Sequence, residues 1–175
     1  MKIFISLCIV IVLSGCSKTD IAQYRNNQPT LSLFEYFTGE TKGWGTVQDR
    51  NGNLTKYFVV EIEGKVNNDT LTLFENFTWD NGEQSTRTWS INRTGDHTFS
   101  GTAEDVDGPA VGSSYGNVLN WKYILLLATD DSQWKIALDD WMFLLPDGVL
   151  LNRTKMSKFG IHLGDITITF RKTES

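Results

Sequence analysis

The chain is poor in cysteine: of 175 residues only Cys8 and Cys16 carry a thiol, and none follows position 16. Everything downstream is therefore without a disulfide framework, a redox Cys-x-x-Cys pair or a thiolate metal site. Histidine is equally scarce. His97 and His162 stand alone without ligand spacing, so each reads as an ordinary strand residue and not as a metal or haem ligand. Basic runs and patches are missing, and 16 Lys and Arg against 21 Asp and Glu give a formal net charge of −5. That balance argues against nucleic acid as a partner. Neither a nucleophile elbow nor a phosphate-binding glycine loop is present, and no metal or cofactor is called for. Long helical patterning is absent as well, which leaves strands to build the fold.

What the chain does have begins with a leader. Lys2 precedes an apolar run at 3–13, too short to span a bilayer as a mature helix but suited to a signal peptide. The Leu13-Ser14-Gly15-Cys16 that follows resembles the bacterial lipobox, which implies cleavage before Cys16 and acylation of its thiol. By the same resemblance, Ser17 in place of aspartate implies sorting to the outer membrane. The expected division is a signal peptide at 1–15, a polar lipidated tether at 16–29 and one domain at 30–175. The bilayer then becomes a partner through N-terminal acyl chains, each buried methylene contributing about 0.8 kcal/mol. The domain is expected to face the periplasm. Nothing in the sequence sets its oligomeric state.

Short β-branched and aromatic runs, separated by Asn-Gly, Asp-Gly and Asp-Asp turns, predict strands at 44–49, 54–63, 70–79, 84–92, 97–105, 118–128, 134–145, 149–154 and 161–172. Strands at this spacing, joined by tight turns, point to an all-β, antiparallel up-and-down barrel of the lipocalin-like (calycin) type. The octapeptide LSLFEYFT at Leu31 nearly repeats as LTLFENFT at Leu71, but no third copy follows, so this is not a repeat array. The first copy carries Ser32-x-x-Glu35, a capping box, and Gly39 stands ready to end a short helix that plugs the barrel. The second copy reads as a strand. The Gly/Ser-rich segment at 105–117 is the longest loop, either a mobile lid or a plain connection.

Two turns set registers. In Trp79-Asp80-Asn81-Gly82-Glu83, a two-residue Asn-Gly turn would scatter the apolar residues over both faces. A type I turn with Gly82 in the left-handed bulge position gathers them on one. That register pairs Leu71 with Ile91, Leu73 with Trp89 and Glu75 with Arg87, all facing inward. At Leu145-Pro146-Asp147-Gly148-Val149, proline suits the first turn position and glycine the bulge. The pairs are then Leu144 with Leu150, Met142 with Asn152 and Asp140 with Thr154. Trp134, Ile136 and Leu138 share the inner face. Outside, Asp139 is expected to meet Lys155 and Trp141 to meet Arg153.

An interior holding Glu75, Arg87, Trp89, Asp140, Met142 and Asn152 has two readings. Glu75 and Arg87 can be a buried pair that does no more than hold register. Alternatively these six line a cavity in which Arg87 meets an acidic head group while aromatic side chains hold an acyl chain. Glu75 and Asp140 as a catalytic acid and base is a third reading, without a supporting motif.

The segments FEYFTGETKGWGTVQDRNG, TLFENFTWDNGEQSTRTWSI, GTAEDVDGPAVGSSYGN and LDDWMFLLPDGVLLNRTKMSKFG, in this order behind a lipobox, resemble the bacterial lipoproteins grouped as domain of unknown function 3833. The likeness spans nearly the whole domain but implies no mechanism. More distantly, a short helix leading into Gly43-Trp44-Gly45 looks like the opening of lipocalins, which implies a first-strand tryptophan near a basic residue, here Arg171 or Lys172. The resulting expectation is a lipoprotein binding a small hydrophobic or lipid-like ligand without catalysis. A lipid-modifying enzyme and a solid-cored envelope scaffold are the alternatives.

Overall fold

A computed structural model describes residues 19–128 and 132–173. Its ten strands form one closed antiparallel barrel in sequence order, β10 pairing back onto β1. They are β1 (Gly39–Asp49), β2 (Leu54–Asn67), β3 (Thr70–Trp79), β4 (Gln84–Gly95), β5 (Thr98–Thr102), β6 (Ala110–Tyr115), β7 (Val118–Ala128), β8 (Gln133–Leu144), β9 (Leu150–Lys158) and β10 (Ile161–Lys172). Each strand pairs with a neighbour on both sides, although β5 covers β4 only from Ser90 onward and the Glu104 carboxylate caps the Thr88 N–H beyond it. The β1–β2, β3–β4, β5–β6 and β9–β10 connections share one end of the barrel. The β2–β3, β4–β5, β6–β7 and β8–β9 connections and a one-turn helix, α1 (Leu33–Phe37), occupy the other.

The predicted plug is there. Leu33, Phe34, Tyr36 and Phe37 of α1 are all buried, and Gly39 ends the turn at φ +84°. Gly64 lets the plug seat: a Cβ at that position would stand 1.7 Å from the Phe37 carbonyl oxygen. The Tyr36 hydroxyl lies 3.0 Å from the Gly148 carbonyl and 3.1 Å from that of Phe170, tying the plug to the β8–β9 turn and to β10. The capping box does not form. Ser32 makes no side-chain cap, and a single turn is closed instead by the Thr38 hydroxyl donating to the Phe34 carbonyl at 2.6 Å.

Both predicted hairpin registers are present. Trp79 N–H donates to Glu83 at 2.9 Å, Gly82 has φ +82°, and Glu75 faces Arg87. Leu145 N–H donates to Val149 at 2.8 Å, and Asp140 faces Thr154. Here the turn takes positive φ at Asp147 (63°) as well as Gly148 (73°), so two residues make the left-handed step.

Several expectations need correction. The segment expected as a loop at 105–117 contains β6, which bridges β5 and β7. Gly112 looked like turn punctuation, but it sits flat beneath Trp121, where a Cβ would meet the indole at 2.3 Å. Nor is the stretch before β6 a lid. Leu126 N–H donates to Asp105 O at 2.7 Å and Asp107 N–H to Ile124 O at 2.9 Å, stitching this stretch to β7. The described part of the expected tether is seated on the barrel wall, because Tyr24 packs edge-on against Trp141 and Phe143 and Asn27 donates to Asn117 at 3.1 Å. Residues 1–15 and Cys16 lie outside the described residues.

Trp44, which the lipocalin analogy set near Arg171 or Lys172, lies on the outside of β1. Gly43 and Gly45 point inward beneath Phe170 and Phe58, which sends Trp44 to the exposed exterior. Trp134 is likewise exposed, at the open end, where Lys158 lies over its ring. Asp139 faces Lys155 and Trp141 faces Arg153 across the β8–β9 ladder as expected, but the Asp139 carboxylate takes its ion pair with Lys122 (3.5 Å) and accepts from Asn120 (2.6 Å) on β7. Trp141 stacks with Phe143 instead of taking the Arg153 cation.

Candidate functional site

Strand alternation sends every second side chain inward. From the plugged end upward, β3 contributes Leu71, Leu73, Glu75, Phe77 and Trp79, and β7 contributes Leu119, Trp121, Tyr123, Leu125 and Leu127. These side chains do not fill the barrel. They bound a cavity of about 340 Å³, floored by Leu33 and Phe37 of the plug and reaching the exposed Leu127 and Ser85 at the other end. Its size sits near the lower edge of the ~300–1,000 Å³ usual for ligand pockets.

Glu75, Arg87, Trp89, Asp140, Met142 and Asn152 all line it. The sequence pattern thus assembled one site from β3, β4, β8 and β9. It missed Tyr123 and Asp105. Tyr123 was legible, being in phase with Trp121 and Leu125. Asp105 was not, since it reaches the wall from the β5–β6 connection.

Polar groups gather at mid-height on the wall of β3, β4 and β7–β9, whereas β2 and β10 present Val60, Phe58, Ile166 and Ile168. Arg87 centres the polar wall. Its Nε and Nη2 donate to Asp105 Oδ2 at 2.9 and 2.7 Å, and its Nη1 stands 3.8 Å from Glu75 Oε2. The guanidinium also lies over the rings of Phe77 and Trp89 at 5.8 and 5.9 Å. Arg87 is thus already engaged by two carboxylates, which removes it as a free anchor for an acidic head group.

The carboxyls are less well served. Burial raises the Glu75 pKa to about 7, with Asp105 and Glu104 adding to the rise and Arg87 opposing it. Burial likewise raises Asp140 to about 7 against a hydrogen bond with Thr154 and the more distant Arg87. Tyr123 is pushed well up, first by burial and then by Asp140, so it stays a neutral phenol. Asp105 Oδ1, Asp140 Oδ1 and Asn152 Oδ1 are buried acceptors without a hydrogen bond, and Glu75 Oε2 has none beyond the 3.8 Å ion-pair approach of Arg87. No cluster of three or more potential metal ligands occurs among the described residues.

Residues 10–172 match the family model described as protein of unknown function (DUF3833). The chain belongs to that family. No curated protein matches it. Among solved structures it is similar to an S-type phycobiliprotein lyase, CPES, from Guillardia theta, with a TM-score of 0.59 at 8% identity over 81% of this chain and 91% of that one. The likeness places this DUF3833 barrel among lipocalin-like folds and says nothing of its chemistry.

Proposed function

We propose that this DUF3833 protein is a non-catalytic binder of a small hydrophobic or lipid-like molecule, held at the outer membrane by acyl chains on Cys16 with its barrel in the periplasm. The observation that carries the reading is the 340 Å³ cavity, apolar at floor and rim with polar groups at mid-height. Mixed lining of this kind is the usual construction of a small-molecule site. A solid-cored scaffold would have no use for it, since unfilled space costs packing energy. The volume suits one short chain or a compact ring system better than a multi-chain lipid.

Native mass spectrometry of residues 17–175, which contain the whole closed barrel, tests the reading after exposure to envelope lipids. Retention of a small apolar adduct is expected, and blocking the cavity with Leu73→Trp is expected to abolish it. Repeated failure of the unmodified barrel to retain anything would defeat the binding proposal.

A further inference from the structure

The polar wall of the cavity has an excess of acceptors. Among the described lining residues Arg87 is the one cation, against the carboxyls of Glu75, Asp105 and Asp140. That cation spends two hydrogen bonds on one oxygen of Asp105 and leans a third nitrogen toward Glu75. Little of it faces the cavity unengaged. Asp140 and Asn152, by contrast, are 5% and 3% exposed, line the cavity and each keep one oxygen that no protein donor satisfies. The Asn152 amide nitrogen donates to Thr154 Oγ1 at 3.3 Å.

Unsatisfied buried acceptors are costly, each by about 1–3 kcal/mol, and a carboxylate among them more. An arrangement that retains several at one level of an apolar cavity is matched by a donor arriving from outside the chain. A ligand carboxylate or phosphate would instead place like charge beside Asp140 and Glu75, with no free cation to offset it.

We propose that the ligand presents a hydrogen-bond-donating, preferentially cationic, group such as a primary amine to Asp140 and Asn152, and lays its apolar part along the β2 and β10 wall. This rests on the binding function proposed above and names the chemical class the site accepts. It also reverses the expectation that Arg87 receives an acidic head group.

Isothermal titration of the full chain with decylamine, decanol and decanoate, all below their aggregation concentrations, separates the possibilities because the three differ only at the head. Decylamine is expected to bind at least about tenfold tighter than decanoate, as one charge-assisted hydrogen bond implies, with decanol between them. Asp140→Asn is expected to narrow the amine-over-alcohol ratio while the protein stays folded by circular dichroism. A second variant, Asn152→Leu, should narrow it less, since a neutral acceptor is lost. Decanoate binding tightest would overturn the head-group inference and leave a hydrophobic binder standing. Failure of all three to bind would overturn it together with the binding function.

Discussion

Hairpins β3–β4 and β8–β9 share a plan: each turns through a glycine in the left-handed region, Gly82 at φ 82° or Gly148 at 73°, and each carries an acidic residue into the barrel at mid-height. They differ in what stands opposite. Glu75 faces Arg87 across the ladder, so β3–β4 supplies its own countercharge, which Asp105 then shares. Asp140 faces Thr154 on one side and Trp121 on the other, with Asn152 and Met142 as the neighbouring pair. One hairpin neutralises itself. The other is left asking for a proton or a donor. Register alone therefore explains the first pair, whereas the second acquires meaning from the cavity in front of it.

The largest effect should come from breaking the self-neutralising hairpin. Arg87→Met removes the cation while leaving Glu75 and Asp105 mostly buried, at 14% and 32% side-chain exposure. Stranding one partner of such a pair typically costs ~3–5 kcal/mol, and urea denaturation at pH 8 measures it. The loss should shrink at pH 5, where Glu75, with its pKa near 7, is protonated and needs no cation. An unchanged midpoint at pH 8 would mean that the pair contributes nothing to stability.

The second hairpin should respond in the opposite direction. Asp140 has a folded pKa of about 7 against 3.8 as a free side chain, and Glu75 about 7 against 4.5. Between those values the folded protein holds protons that the unfolded chain releases, so stability falls as pH rises from about 4 to about 7 and levels off above. Asp140 feels Thr154 from β9, Arg87 from β4, Glu75 from β3 and Asp139 from its own strand, while Asp140 in turn acts on Tyr123 of β7. None of these supplies a dedicated cation. Asp140→Asn keeps the shape and removes the ionisation, so it should gain about 1–3 kcal/mol at pH 8, each tenfold change in proton affinity being worth ~1.4 kcal/mol. At pH 4 the variant and the natural protein should coincide. A variant less stable at pH 8 would show that the Asp140 charge is balanced by something the wall does not display.

These two hairpins also mark how far the sequence could be read. Turn chemistry and the requirement that apolar residues share a face settled both registers, because a one-residue slip would have turned every side chain over. The same parity rule was available for Tyr123. It gave no face for Trp44, where the inward positions are glycines and the bulky aromatic lies outside. Glycine also hid β6, since Gly112 serves the face of Trp121 and not a turn. Asp105 shared the Phe99 face at the end of the strand expected at 97–105, but nothing local named its partner. Its place beside Arg87 depends on the stretch before β6 pairing with β7, a contact between segments far apart in the chain. Local chemistry therefore found the two carboxyls and their partners on paired strands, and missed the one that tertiary structure brings in. That omission mattered, for Asp105 is what turns Arg87 from a free anchor into an engaged one.

The smallest effect should fall on the turns, where the hairpins are alike. A Cβ on Gly82 or Gly148 would meet nothing within 4 Å, so alanine at either site tests backbone conformation alone. With φ at 82° and 73°, each substitution should cost about 1–2 kcal/mol, the penalty for an L side chain in the left-handed region. Equal losses for Gly82→Ala and Gly148→Ala, read from thermal midpoints at pH 5, would locate the contrast between the hairpins in their inward polar residues. Asp147 already carries a side chain at φ 63° beside Gly148, so any difference should make the β8–β9 turn the more tolerant. A loss at Gly148 several times that at Gly82 would move the explanation from the cavity wall to the turns themselves.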